Sequence, residues 1–484
     1  MTTNVYQRYA ISNLGFLPAE ITYSLPQGWE SYQPIIDFIE GNNETLSGEL
    51  YRKIVSETPY DEALLDTIPE MPQSEVFYLY TAFSMICQKY IWCCGPEKCV
   101  DTLPRQIGIP YYAVCKHLGL PPNLTYSSLV LWNTRLIDSQ KPPTVDNIRL
   151  VLNIAPAKYM KALDGFSAVH AAIEAKGGAL IDSMLKIREA ITDGNSLEKI
   201  KEELRKMGIF LKDLRHILAE MYNYCDRDGF WGFRRYIGGT DNKQFFPDGL
   251  KIEGIEETFT LKGGSGTQSP LMQALDRFFS VKHNPLARQY FDEMKVYMYP
   301  PHAQFLDYLA TGPQIRDYTI STKDEELIKL FDSAVGEFAN YRRLHYKLIH
   351  DYIMYNIKKD EELKEQDPDK KNIFESKGTG GTDPHVFLMD VIDKTLRSKI
   401  RGSKFNDPEE NKSDSTAISD RDLTPSKDTE KMSETGNHSG KIAKTLNYPV
   451  SKTMSNLQWW CSWRGGVLLL FILLLLRAIR NMVL

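Results

Sequence analysis

Residues 324–358 carry the strongest structural signal in the chain. Leu327, Phe331, Ala334, Phe338, Tyr341, His345, Leu348 and Tyr352 recur at three- and four-residue steps, the repeat of one buried face of an α-helix. A helix of that length with an unbroken apolar stripe must lie against a large interior. His345 stands inside the stripe, whereas Arg343, Lys347, His350 and Asp351 fall on the polar side. An imidazole aimed into an apolar interior is either a core histidine or an axial metal ligand, because neutral imidazole binds metals readily and haem iron is often held by one histidine. Spacing alone favours the core histidine.

The rest of the chain repeats the helical period. Helical patterns cover 29–39, 75–92, 110–118, 127–137, 145–152, 158–175, 181–192 and 196–224, and one small hairpin is expected within 249–261. Residues 1–28, broken by Gly15, Pro18, Pro26 and Gly28, read as extended. The fold class is therefore all-α with irregular loops. At 484 residues the chain exceeds one ordinary core, so two folded units plus tails are expected.

Charge narrows the function. A formal net charge of -5 leaves no electrostatic footprint for nucleic acid. Seven cysteines, odd in number and without a CxxC pair, together with a polar start lacking a secretory signal, suit a reducing compartment with free thiols. Cys93, Cys94 and Cys99 are spaced too tightly for an ordinary tetrahedral zinc site.

From about 401 the composition turns polar, periodicity vanishes and disorder is expected. Trp459, Trp460 and Trp463 then precede an uncharged apolar run at 465–476, closed by Arg477 and Arg480. That run spans only ~18 Å as a helix, against ~30 Å of hydrocarbon. Extended back to Leu457, with Arg464 snorkelling and the tryptophans at the interface, it would cross a thin bilayer as a tail anchor. An interfacial helix or a partner-docking helix is the alternative. The expected location is a cytoplasmic catalytic unit, tethered to an intracellular membrane.

Two glycine-rich turns stand out. Gly-Thr-Gly-Gly-Thr-Asp at 378–383 lacks the Lys-Ser/Thr of a phosphate loop. It is either a hinge or a mobile cover over a small ligand, with the hydroxyls of Thr379 and Thr382 as donors. Gly264, Ser265 and Gly266 form the second turn, either a plain loop or a place where a flat ligand meets the backbone.

Taken together and in order, the segments at 118–133, 246–250, 264–269, 299–302, 341–345 and 378–383 resemble the indoleamine 2,3-dioxygenase family. The resemblance covers roughly residues 10–400 and leaves out the polar linker and the apolar run. It implies a small N-terminal helical domain at 1–120 and a large helical haem domain at 121–400. A linker at 401–456 and a hydrophobic segment at 457–484 follow. It also implies non-covalent haem b with His345 as the proximal iron ligand, Arg342 at a haem propionate and Asp276 as the acidic partner of the proximal imidazole.

On the distal side the resemblance points to Phe230 and Arg235, in the pattern Phe-x-x-x-x-Arg, as indole contact and carboxylate clamp, with Arg234 ranked second. Tyr126, Leu129 and Val130 match the back of an indole pocket and Phe166 its side. Gly264 and Gly266 match its edge, and Thr379 the substrate's polar end. His170 and Ser265 are assigned to the catalytic site. His170 departs from the serine of familiar animal members, and related tryptophan dioxygenases use a histidine to accept a hydrogen bond from the indole N–H. The plain reading of each of these residues is a core or surface side chain.

The activity implied is cleavage of the indole C2–C3 bond of L-tryptophan by O2 to N-formylkynurenine, the first step of the kynurenine pathway towards NAD. The core is expected to be a monomer whose haem is kept ferrous by an external electron donor. A family member with little tryptophan turnover, acting as a sensor or on another indole, and a membrane-tethered helical scaffold are the alternatives.

Overall fold

Helices follow from the apolar periodicity, and the computed structural model describes residues 4–41, 48–194, 196–359 and 384–401. The hexapeptide at 378–383, with Thr379, lies outside the described residues, as do the polar linker beyond 401 and the apolar run at 457–484. Among the described residues no helix is long and apolar enough to cross a membrane.

The N-terminal part is built from α1 (Gln33–Gly41), α2 (Gln73–Trp92) and α3 (Arg105–Leu118). Almost every residue of α2 from Val76 to Trp92 is buried, as its all-round apolar sequence demands. α3 starts five residues before Pro110, where the sequence places its beginning. A proline inside a helix leaves the carbonyl four residues earlier without its amide. Here that carbonyl, of Gln106, accepts the Tyr32 hydroxyl at 2.9 Å instead. Gly119 closes α3 at φ 67°, a left-handed position that costs glycine little.

The two helical patterns at 158–175 and 181–192 are one helix, α4 (Ala157–Thr192), which runs straight through Gly177-Gly178. Those glycines are packing points rather than breaks. A Cβ on Gly178 would stand 2.4 Å from the Asn13 carbonyl oxygen, and one on Gly177 would stand 2.4 Å from the Leu271 side chain. α5 (Leu197–Ala219) packs along α4. The short α6 (Arg227–Phe233) follows, with Asp226 capping it by accepting the Gly229 amide at 2.6 Å. α7 (Pro270–Phe278) comes next, capped by Ser269. After three shorter helices, Pro285–Lys295, Pro300–Ala310 and Ile315–Thr322, comes α8 (Glu325–Ile349), capped by Asp324 and packed on α5. Its stripe residues Leu327, Phe331, Ala334, Val335 and Phe338 are buried in the main core. α8 passes into a wide turn at His350–Met354 and continues helically to 359. α9 (Pro384–Arg397) lies against α8, where the amides of Ile400 and Arg401 donate to Asp332.

Two expected helices are not helices. Residues 127–137 form one wide turn, Ser127–Leu131, and then β2 (Thr134–Leu136), which pairs antiparallel with β3 (Ile148–Leu150) from the expected 145–152 helix. The Asn133 side chain decides this locally. It donates to the Leu152 carbonyl at 2.8 Å and accepts the Leu152 amide at 2.9 Å, a side-chain substitute for the next ladder rung. A second sheet joins β1 (Thr102–Leu103), parallel, to β4 (Leu250–Ile252), which pairs antiparallel with β5 (Ile255–Phe259) in the expected hairpin.

Candidate functional site

α8 brings Tyr341, Arg342, His345 and Ile349, and the wide turn after it brings Ile353, to a cavity of about 210 Å³. Tyr341, His345, Ile349 and Ile353 fall four residues apart and Arg342 three before His345, so one helix face supplies a whole wall. The His345 ring looks into the cavity and is neutral. Burial holds its pKa down to about 4, with the nearby His170 and the Arg342 charge acting the same way. Its lone pair is therefore available at any ordinary pH.

α4 supplies the second histidine. Phe166, His170 and Ile173 line the same cavity. Nδ1 of His170 lies 2.7 Å from the Phe166 carbonyl oxygen. A carbonyl only accepts, so Nδ1 carries the proton and Nε2 is left as an acceptor. Burial lowers the His170 pKa, against the opposing pull of that carbonyl. The Phe166 ring lies 4.2 Å from the imidazole, centroid to centroid, and Tyr126 meets it edge-on at 6.3 Å.

The wide turn at 127–131 divides its side chains. Tyr126 and Leu129 face the cavity, whereas Val130 is fully buried in the core behind it, so the expected role of Val130 at the indole wall is not seen. The Tyr126 amide is fixed by the Gln268 side-chain oxygen at 2.9 Å.

α6 sits close against α4 because its glycines allow it. A Cβ on Gly229 would fall 2.4 Å from Ala162, and one on Gly232 would fall 2.2 Å from the Tyr159 ring. This approach sets Phe230 at the cavity, 6.0 Å from Phe166 and 5.6 Å from Tyr352. The arginine that follows it inward is Arg234, not the expected Arg235. Four residues is about one helical turn, so Phe230 and Arg234 share a face, and a fifth residue turns away. Arg234 is buried over the Trp231 ring, and burial lowers its pKa to about 10. Arg235 is half-buried outside the cavity.

Gly264, Ser265 and Gly266 line the opposite edge. Ser265 is turned to its own loop, with Oγ 2.8 Å from the Thr267 hydroxyl. The glycine the loop requires is Gly263, where a Cβ would stand 2.5 Å from the Ile237 carbonyl oxygen. Close approach there is to the backbone after α6 rather than to a ligand.

Behind His345, Asp276 does not take the place expected for it beside the imidazole. Its carboxylate meets Arg342 at 2.7 Å and His283 at 3.0 Å. Burial raises its pKa, but Arg342 and His283 outweigh that and hold it down to about 2. Arg342 also donates to the Thr395 hydroxyl on α9 and stacks over Phe338. It is thus the link between α7, α8 and α9, as well as a cavity residue.

The donor set fits a haem. Among the described residues no group of three or more His, Cys, Asp or Glu side chains could hold a bare metal ion. One neutral imidazole with apolar surroundings suits an iron whose remaining equatorial ligands come from a porphyrin. Ile349, Ile353, Phe387, Leu388 and Val391 give the cavity an apolar flank for a flat macrocycle, with Arg342 as its cation. Phe387, Leu388 and Val391 of α9 carry no motif of their own in the sequence. Their only signal is apolar periodicity, which core residues share.

A family sequence model described as indoleamine 2,3-dioxygenase matches residues 5–398. Indoleamine 2,3-dioxygenase 1 of Mus musculus is 30% identical over 326 residues, 66% of this chain and 79% of the relative. Indoleamine 2,3-dioxygenase 2 of Homo sapiens is 29% identical over 322 residues, 66% of this chain and 78% of its own length. A protein named myoglobin, from Haliotis madaka, is 26% identical over 396 residues, 80% of this chain and 97% of its own.

Proposed function

The chain belongs to the indoleamine 2,3-dioxygenase family of haem-dependent dioxygenases, and from that premise we propose that it cleaves the indole C2–C3 bond of L-tryptophan with O2 to give N-formylkynurenine. The observation that carries the reading is one cavity holding two histidines from different helices, aromatic walls and two buried guanidiniums, Arg234 and Arg342, the second tied to Asp276. Bound haem supplies the iron at which O2 is activated. His345 would hold its iron and Arg342 would pair with one of its carboxylate groups, with Asp276 and Thr395 holding the guanidinium in place.

The protein's own work is positioning. Phe166, Phe230 and Leu129 offer apolar and aromatic surface to a flat bicyclic ring and exclude water from it. Arg234 takes the amino-acid carboxylate, a planar fork meeting a planar anion. His170 Nε2 accepts the indole N–H, which sets the ring's rotation in the pocket. Ser265 and Gly266 contribute the edge, and Thr379 is assigned to the substrate's polar end by its place in the hexapeptide.

The experiment is direct. Purified, reduced protein should show a Soret band and convert L-tryptophan with the absorbance gain of N-formylkynurenine. His345→Ala should lose the Soret band. Pigment held unchanged by His345→Ala removes the assignment. A second reading has one observation in its favour, the similarity to a relative named myoglobin. On it the protein binds haem and O2 with little tryptophan turnover, and a Soret band without product formation would select it.

We also infer from the apolar run at 457–484 that the catalytic unit is tethered to a membrane.

A further inference from the structure

One buried carboxyl lies behind the distal wall and has no part in the roles above. Glu174 is fully buried on α4, one turn after His170. Its Oε1 accepts the Tyr126 hydroxyl at 3.0 Å and the Ser269 hydroxyl at 2.5 Å. Its Oε2 has no hydrogen-bond partner. Tyr126 and Ser269 both line the cavity. Ser269 also caps α7 and ends the 265–269 turn, and the neighbouring Gln268 holds the Tyr126 amide. Three separate pieces of the distal pocket therefore meet at a single oxygen: the turn bearing Tyr126 and Leu129, the helix bearing His170, and the loop bearing Ser265 and Gly266.

We propose that Glu174 is the positioning residue of the distal pocket, setting the width of the indole slot by tying Tyr126 and Ser269 to the helix that carries His170. The proposal rests on the tryptophan reading and names what fixes that site. An unpaired Oε2 in an apolar wall is costly, and a glutamine or leucine would remove the ionisable group altogether. A residue kept only for packing would be served as well by leucine. The acceptor, not the charge, performs the task, so glutamine, which retains one carbonyl oxygen, should substitute.

Two measurements on the haem-loaded protein test this. The first is a tryptophan titration read by the Soret shift, alongside KM and kcat. The second is the C–O stretching frequency of the carbon monoxide complex of reduced protein, which senses the distal wall without substrate. Glu174→Leu should weaken tryptophan binding and raise KM about tenfold, the loss expected for a pair of buried hydrogen bonds. It should change kcat less, and shift or broaden the C–O band. Glu174→Gln should stay within about threefold of wild type on the same scale. Tyr126→Phe combined with Glu174→Leu should add less than the sum of the two, since both break one contact. Equal binding and an unmoved C–O band in Glu174→Leu would overturn the proposal, as would a Glu174→Gln protein as impaired as Glu174→Leu. If Glu174→Leu does not fold, Tyr126→Phe and Ser269→Ala carry the test. Each should move the C–O band, and an unmoved band in both overturns the proposal. A wild-type protein that fails to respond to tryptophan sinks the functional reading instead, and the C–O band still judges Glu174.

Discussion

At Phe230 and Arg234, one residue of register decides which arginine reaches the cavity. The sequence contains two adjacent arginines, and only helical phase separates them: Arg234 shares a face with Phe230 and Arg235 does not. Counting by motif misses this, because α6 is a seven-residue helix whose bounds carry no strong sequence signal. Arg234→Ala should raise KM for tryptophan roughly 10- to 100-fold, the range for losing a hydrogen-bonded charge. Arg235→Ala should leave KM within about threefold, as expected for a side chain outside the site. Steady-state kinetics on the two variants separate them, and the reverse order would return the clamp to Arg235. Asp276 shows the same limit in another form. Only the family resemblance singles it out in the sequence, and its partners are not legible there, because Arg342 and His283 come to it from different elements.

Among the elements, apolar period reads long helices well and short ones badly. α8 and α2 were plain in the sequence because each buries many turns of one pattern. The segments at 127–137 and 145–152 have similar apolar content but are too short for the period to discriminate, and the Asn133 side chain settles them as strand. Glycine misleads in the opposite direction. Gly177 and Gly178 look like a break in α4, yet they mark where the chain near Asn13 and the Leu271 side chain come close. Gly178→Ala should therefore lower the melting temperature by several degrees, since the Asn13 carbonyl cannot retreat without moving the N-terminal turn. Gly208→Ala, in α5 with nothing within 4 Å of the new Cβ, should raise it slightly, because alanine gains roughly 0.5–1 kcal/mol over glycine inside a helix. A thermal melt of both variants checks the pair.

For the whole molecule, the all-α class and the helical centre were legible because they depend on summed periodicity rather than on any one contact. The long-range pairings that close the cavity were not, since no local pattern announces that Glu174 will meet Tyr126 and Ser269. The tail poses a separate question of place. A chain ending at Arg401 should keep its haem and its turnover, while removal of 457–484 should shift the protein from the membrane pellet to the supernatant. Fractionation followed by the same activity assay reads both, and an unchanged pellet fraction would argue against the tether.

Glu174 Oε1 gathers residues 126, 174 and 269, and the cavity imidazole of α8 and the helix α9 come later still, at 345 and 384–397. Contacts so remote along the chain form slowly, because long loops must close before any of them is rewarded. A fragment cut anywhere before α9 lacks Phe387, Leu388 and Val391 of the cavity wall and the Thr395 hydroxyl that holds Arg342, and is expected to hold no pigment.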